Sequence, residues 1–246
     1  MKAAARIVAE RESARTVLRV LKGEAPLLPR RTGPNEVHIV GGAAGPLGGD
    51  DLSLEIEVGP GAELWVRTVA ASVALPGRDG AESRLAVHAT VGEGALLAFL
   101  PEPIVAAARC RHRNESVVEI AADARLFWRE EAVFGRHGER SGDLYLSTKI
   151  RKNNRPWYRS DVAVGPSHPD GPAILGGARM LSTLIATTDI TEKSDKSGIG
   201  AILDISDNTT HAAVMALAGG GVAVTVIGDD LTASRRITGR LVTPAQ

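Results

Sequence analysis

The chain has 246 residues, with 29 Lys and Arg balanced by 29 Asp and Glu, so its formal net charge is zero. That balance argues against the broad positive field needed to bind nucleic acid. A single cysteine, Cys110, excludes an intramolecular disulfide and suits a reducing cytoplasm. A chain of this length buries one large core, and sheet proteins of this size often fold undivided, so a single domain over 1–246 is expected.

The first residues carry Glu10 and Glu12 among basic ones and lack the apolar core of an export signal. Residues 5–10 and 15–21 read as an opening hairpin, 26–35 as a Pro-containing connection and 37–40 as a short strand. The stretch 41–51, from Gly41-Gly42 through Gly48-Gly49-Asp50-Asp51, invites a phosphate-loop reading. It lacks the Gly-Lys-Ser/Thr ending and the Gly-x-Gly-x-x-Gly spacing, and it ends in two carboxylates, so it reads as a glycine turn presenting Asp50 and Asp51.

One phrase then occurs three times: Val58-Gly59-Pro60-Gly61-Ala62-Glu63-Leu64, Val91-Gly92-Glu93-Gly94-Ala95-Leu96-Leu97 and Ile120-Ala121-Ala122-Asp123-Ala124-Arg125-Leu126. Each is a small turn between runs of alternating apolar and polar residues. A spacing of roughly 30 residues is that of supersecondary units stacking into an extended β body. Leu52, Leu54, Ile56 and Val58 alternate with Ser53, Glu55 and Glu57, which gives one dry strand face and one wet one.

Strands dominate to about residue 164, and a Pro/Gly cluster follows over 165–177. Residues 178–185 read as a short helix or strand, 191–197 as a charged loop and 201–205 as a short strand. The uncharged run 212–228 falls short of a membrane span. It reads as a helix begun near Asn208 or Thr209, ended by Gly219-Gly220-Gly221 and followed by a buried strand over 222–227.

The candidate chemistry is sparse. Cys110-Arg111-His112 places a thiol and an imidazole on one face of a strand, yet a stable metal site needs more donors than lie nearby. The six histidines are scattered singly, and no Gly-x-Ser-x-Gly elbow marks a nucleophile. Glu102 is held between Pro101 and Pro103, which aims its carboxylate. Glu130 and Glu131 precede Gly135-Arg136, and Glu131 reads as a solvated strand-face charge. A Glu102/Glu130 acid/base pair on a β-solenoid would suit a carbohydrate-active hydrolase, although sugar sites use aromatic platforms and this chain is only 3% aromatic.

The order Gly41-Gly42, Gly48-Gly49-Asp50, the Val58-Gly59-Pro60-Gly61-Ala62 turn, Leu100-Pro101-Glu102-Pro103-Ile104 and Glu130 leading to Gly135-Arg136 resembles the UreD/UreH family of urease accessory proteins. The likeness runs over about 41–164, and Ile174-Leu175-Gly176-Gly177-Ala178-Arg179 echoes it further on. The resemblance implies a mostly β, extended, β-helix-like stacked-strand body with a few short helices, mainly towards the C-terminus. It implies a non-enzymatic partner of UreF, UreG and apo-urease that helps deliver nickel, with no tightly bound cofactor and only transient nickel. Gly138-Glu139 or Gly142-Asp143 stands where the family carries a Gly-Glu, and the polar stretch 187–196 departs from the family's more apolar tail. Nickel binds imidazole and thiolate tightly, so a protein that passes the ion on is expected to rely on weaker carboxylate and water oxygens. Asp50, Glu102 and Glu130 are therefore the expected metal-path residues. Neither a nucleic acid nor a membrane is an expected partner.

Overall fold

The computed structural model describes residues 1–168, 171, 174–187, 210–239 and 242. Its strands alternate between two sheets so that the chain winds in stacked coils. One sheet takes, in spatial order, β14 (Arg155–Val164), β13 (Asp143–Lys152), β11 (Arg111–Ile120), β8 (Ser83–Val91), β5 (Asp51–Val58), β1 (Lys2–Glu12) and β2 (Arg15–Gly23). The other runs β16 (Thr210–Ala216), β17 (Val222–Gly228), β15 (Met180–Ala186), β12 (Arg125–Phe134), β9 (Leu96–Leu100), β6 (Glu63–Thr68), β4 (Glu36–Gly41) and β3 (Leu27–Arg31). Short strands β7 (Ser72–Ala74) and β10 (Ile104–Ala106) extend it as a parallel ladder beside β12. The repeating interior of both sheets is parallel, as a coil that returns to each sheet in the same direction requires, and the chain ends attach as antiparallel strands.

The thrice-repeated phrase forms the corner where each coil passes from one sheet to the other. Ala62, Ala95 and Ala124 close their turns onto the carbonyls of Gly59, Gly92 and Ala121, and all three alanines are buried. Successive corners are also joined: Leu96 N–H donates to Ala62 O at 2.9 Å and Arg125 N–H to Ala95 O at 2.8 Å. Gly61 and Gly94 sit at φ 67° and 62°, the left-handed region that costs a side-chain-bearing residue about 1–2 kcal/mol. In the third corner Asp123 stands outside that region, so the lost glycine is not missed.

Period two sets the core. Ile7, Ile56, Ala89, Val118 and Ile150 are register partners across five strands, and each is buried. From the facing sheet come Leu64, Leu97 and Leu126, then Val66, Phe99 and Trp128. Phe99 and Trp128 stack with centroids 4.3 Å apart, worth about 0.5–1.5 kcal/mol beyond their burial.

The opening hairpin forms as expected, and 180–186 resolves as a strand. Two expectations are corrected. The connection 26–35 contains β3, because Pro29 lies on a sheet edge where its missing N–H costs no ladder bond. The helix expected from about residue 208 to the glycines is instead β16 over its described part. Its residues pair one for one with β17 through Thr210↔Gly228 to Ala216↔Val222, and the triple glycine turns the hairpin. Alanine favours a helix in isolation, but a neighbouring strand with open hydrogen-bonding groups outweighs that preference. The one helix among the described residues, α1 (Leu231–Gly239), begins where Asp230 Oδ1 accepts the Thr232 N–H at 2.7 Å and buries Ile237 against β15 and β17. The readings for 191–197 and 201–205 lie outside the described residues. No helix among those described is long and apolar enough to cross a membrane.

Candidate functional site: an acid-floored interior cavity

Between the sheets lies a cavity of about 530 Å³. Its walls are mainly apolar, from Ile39, Leu52, Leu54, Leu85, Val87 and Phe99. Residues 69–72 line it and are exposed, so it reaches the surface there.

On β11 the apolar rows become polar. The inward row Ala5, Leu54, Val87 continues as Ser116 and Thr148, and the row Ala3, Leu52, Leu85 continues as Asn114. His112, Asn114 and Ser116 thus share one face of one strand and line the cavity. Opposite, β12 places Leu126, Trp128 and then Glu130 at successive inward positions, so Glu130 takes a place where its neighbours put core side chains. Ser116 Oγ donates to Glu130 Oε1 at 3.0 Å, while Trp128 and Thr148 stand beside the same carboxyl. Burial raises the Glu130 pKa against the opposing effect of these neighbours.

His112 is 1% exposed. Its Nδ1 lies 2.9 Å from Ser83 Oγ and its Nε2 has no hydrogen-bond partner. Burial lowers its pKa to about 4, so the ring is neutral at physiological pH.

Glu102 lines the same cavity nearer the surface, where its N–H donates to Thr68 Oγ1 at 2.9 Å. Its carboxylate is not free. Arg235 Nη2, reaching in from α1, lies 2.8 Å from Glu102 Oε2 and 2.8 Å from Glu131 Oε2. Glu131 corrects the solvated-face expectation: it is buried under α1, accepts from Ser182 Oγ at 3.3 Å and lies 3.6 Å from Arg129 Nε. Arg129 is itself pinned, donating to the carbonyls of Leu100 and Pro101.

Asp50 is placed differently from the other two expected residues. It is buried, but its Oδ1 accepts from the Met1 nitrogen and its Oδ2 from the Leu47 N–H at 2.8 Å. It braces the turn whose Gly45 and Pro46 line the cavity and is not itself a lining residue. The structure therefore brings Glu102 and Glu130 to one cavity and sets Asp50 behind its wall. Asp51 opens β5 and is exposed. Glu139 caps its own loop: its carboxylate accepts from the Arg136 guanidinium and from the N–H groups of Arg136 and Ala108, which together hold its pKa at about 2. Cys110 and His112 turn to different partners, Asp143 O and Ser83. No cluster of three or more His, Cys, Asp or Glu suited to a metal occurs among the described residues.

The arrangement is that of a parallel β-solenoid with an interior chamber, in which Glu130 faces inward with no ion-pair partner among the described residues while Glu102 and Glu131 are held by arginines. Comparison with known proteins makes this specific. The family model described as UreD urease accessory protein matches residues 1–246. A urease accessory protein UreD of Parafrankia sp. is 40% identical over 258 residues, covering 91% of this chain and 84% of the relative. UreD 3 of Streptomyces griseus is 40% identical over 225 residues, covering 87% and 85%. UreD of Streptomyces coelicolor is 36% identical over 251, covering 96% and 94%. The chain belongs to the UreD family of urease accessory proteins.

Proposed function

We propose that the chain is a non-enzymatic scaffold that passes nickel through its interior cavity towards apo-urease, acting with UreF and UreG in the cytoplasm. The observation that carries this reading is Glu130, an acid set in a core row and open to a cavity that reaches the surface. Burying a carboxylate without a cation is costly, and a transient cation partner would offset that cost. The donors around it are a carboxylate, a hydroxyl, an amide and one imidazole, a mainly oxygen set that holds nickel loosely. Nickel here is cargo, and no resident cofactor is invoked. Glu102 serves at the surface end and Asp50 acts by bracing the Gly45-Pro46 wall.

The hydrolase reading is disfavoured because Glu102, one half of its acid/base pair, is engaged by Arg235. The test is co-expression of urease with its accessory proteins, the chain carrying Glu130→Gln, followed by affinity capture and metal analysis. Urease nickel content and activity are expected to fall about tenfold while the accessory complex still assembles. Unchanged nickel content in the variant would remove the conduit.

A further inference from the structure

The charges around the cavity do not simply add up to an acidic lining. Three carboxylates line it, Glu102, Glu130 and Glu131, and the first two expected from sequence differ sharply in their surroundings. Glu102 and Glu131 share one guanidinium nitrogen of Arg235 at 2.8 Å each, with Arg129 near Glu131 on the other side. Glu130 has no ion-pair partner among the described residues. Two acids are therefore matched by two arginines, and a single acid is left to act on whatever enters. The two arginines are not equivalent. Arg129 arises from the same strand as Glu131 and is pinned by two backbone carbonyls, with a side chain 12% exposed. Arg235 comes from α1, more than 100 positions along the chain, and its side chain is 31% exposed.

We propose that Arg235 is a positioning residue that sets the charge of the nickel path: by neutralising Glu102 and Glu131 from outside the sheet, it leaves one unpaired acid in the cavity and so keeps a divalent cation from being trapped there. Coulomb attraction to a divalent ion grows with each unpaired carboxylate within reach and is weakly screened away from bulk water. One such group attracts the ion; two or three would hold it. The strength of cation holding is thus set by a residue that does not line the cavity at all. This inference rests on the conduit reading for the identity of the ion, and its closing experiment separates the two.

The full-length chain, purified in its accessory complex, is dialysed against nickel chloride at fixed ionic strength, and retained nickel is measured beside the nickel content of co-expressed urease. Arg235→Gln is expected to retain nickel at least tenfold more tightly and to deliver less of it to urease. Arg235→Lys, which keeps the charge, is expected to restore delivery in large part. Arg235→Gln combined with Glu102→Gln, which removes the acid that loses its only ion-pair partner while Glu131 keeps Arg129, is expected to return retention to the wild-type level. A merely structural role for Arg235 would lower delivery without raising retention, and the second substitution would worsen the defect; either result overturns the proposal. If Arg235→Gln raises retention while Glu130→Gln leaves urease nickel unchanged, the charge-setting role stands and the conduit reading falls.

Discussion

Glu130 and His112 occupy similar positions, inward on neighbouring sheets, and respond to burial with opposite signs. Burial raises the carboxyl pKa, so the folded chain holds a proton more readily than the unfolded one above the ordinary carboxylate range, and ionising Glu130 subtracts stability as pH rises. Glu130→Gln is therefore expected to stabilise the fold at neutral pH, by about 0.5–2 kcal/mol in urea unfolding, while impairing nickel delivery. A gain in stability with a loss of function is the mark of a residue retained for its activity. For His112 the folded pKa lies near 4, below the unfolded value near 6.5. Between these values the unfolded chain binds the extra proton, so stability is present above about pH 6.5 and is lost as pH falls towards 4. A His112→Gln variant should show a flatter stability profile across that window, and an unchanged slope would mean that the imidazole is not held neutral. Glu130 was singled out from sequence by its place before Gly135-Arg136, whereas its inward position in line with Leu126 and Trp128 emerges only from the fold. The burial of Glu131 was not legible, since it depends on Arg235, which no local pattern connects to it. Asp50 was singled out rightly as a turn residue, yet nothing in its neighbourhood signalled that backbone nitrogens would occupy both carboxylate oxygens.

At the level of elements, the corner turns explain the glycines better than local conformation alone. A Cβ on Gly92 would lie 2.8 Å from Pro60 N and 3.1 Å from its ring, so the first glycine of the second turn is dictated by the turn stacked against it. Gly92→Ala is expected to cost about 1–3 kcal/mol, and Gly94→Ala about 1–2 kcal/mol through its positive φ. Both are read from shifts of the urea midpoint at constant slope. A neutral Gly92→Ala would mean that the corners separate more easily than their hydrogen bonds suggest. The repeat and the alternating strands were readable because each carries its own signal within about ten residues. The misread element, β16, is rich in alanine and acquires its strand from β17. Short helices were expected towards the C-terminus but none was placed at 231–239: α1 had a local start signal in Asp230 but no long apolar stripe, because it rests on the sheet largely through Ile237 and the Arg235 ion pairs.

For the molecule as a whole, neighbouring coils share the load. Each coil contacts the next through two ladders and a corner, so stability is the sum of coil interfaces, and a central defect weakens two of them. Ile56 lies inside the row from Ile7 to Ile150, between Ile7 and Ala89, and is 1% exposed. Ile56→Ala is expected to cost about 2–5 kcal/mol, whereas Leu18→Ala on terminal strand β2, only partly buried, should cost markedly less. Comparable losses at both places would indicate a single globular core rather than a stack.

The antiparallel strands at the margins carry a further consequence. Parallel coils present at either end the same pattern they present inside, and left open they would invite another molecule to continue the winding into a fibre. Here β2 and β14 cap one sheet, and β3 and the β15–β17 run cap the other, each reversing the chain's direction. The winding is thereby finite, and the number of coils between the caps fixes the span of the chamber they enclose. Inserting or deleting one coil would change that span by a whole strand spacing of about 4.8 Å, with no intermediate adjustment available.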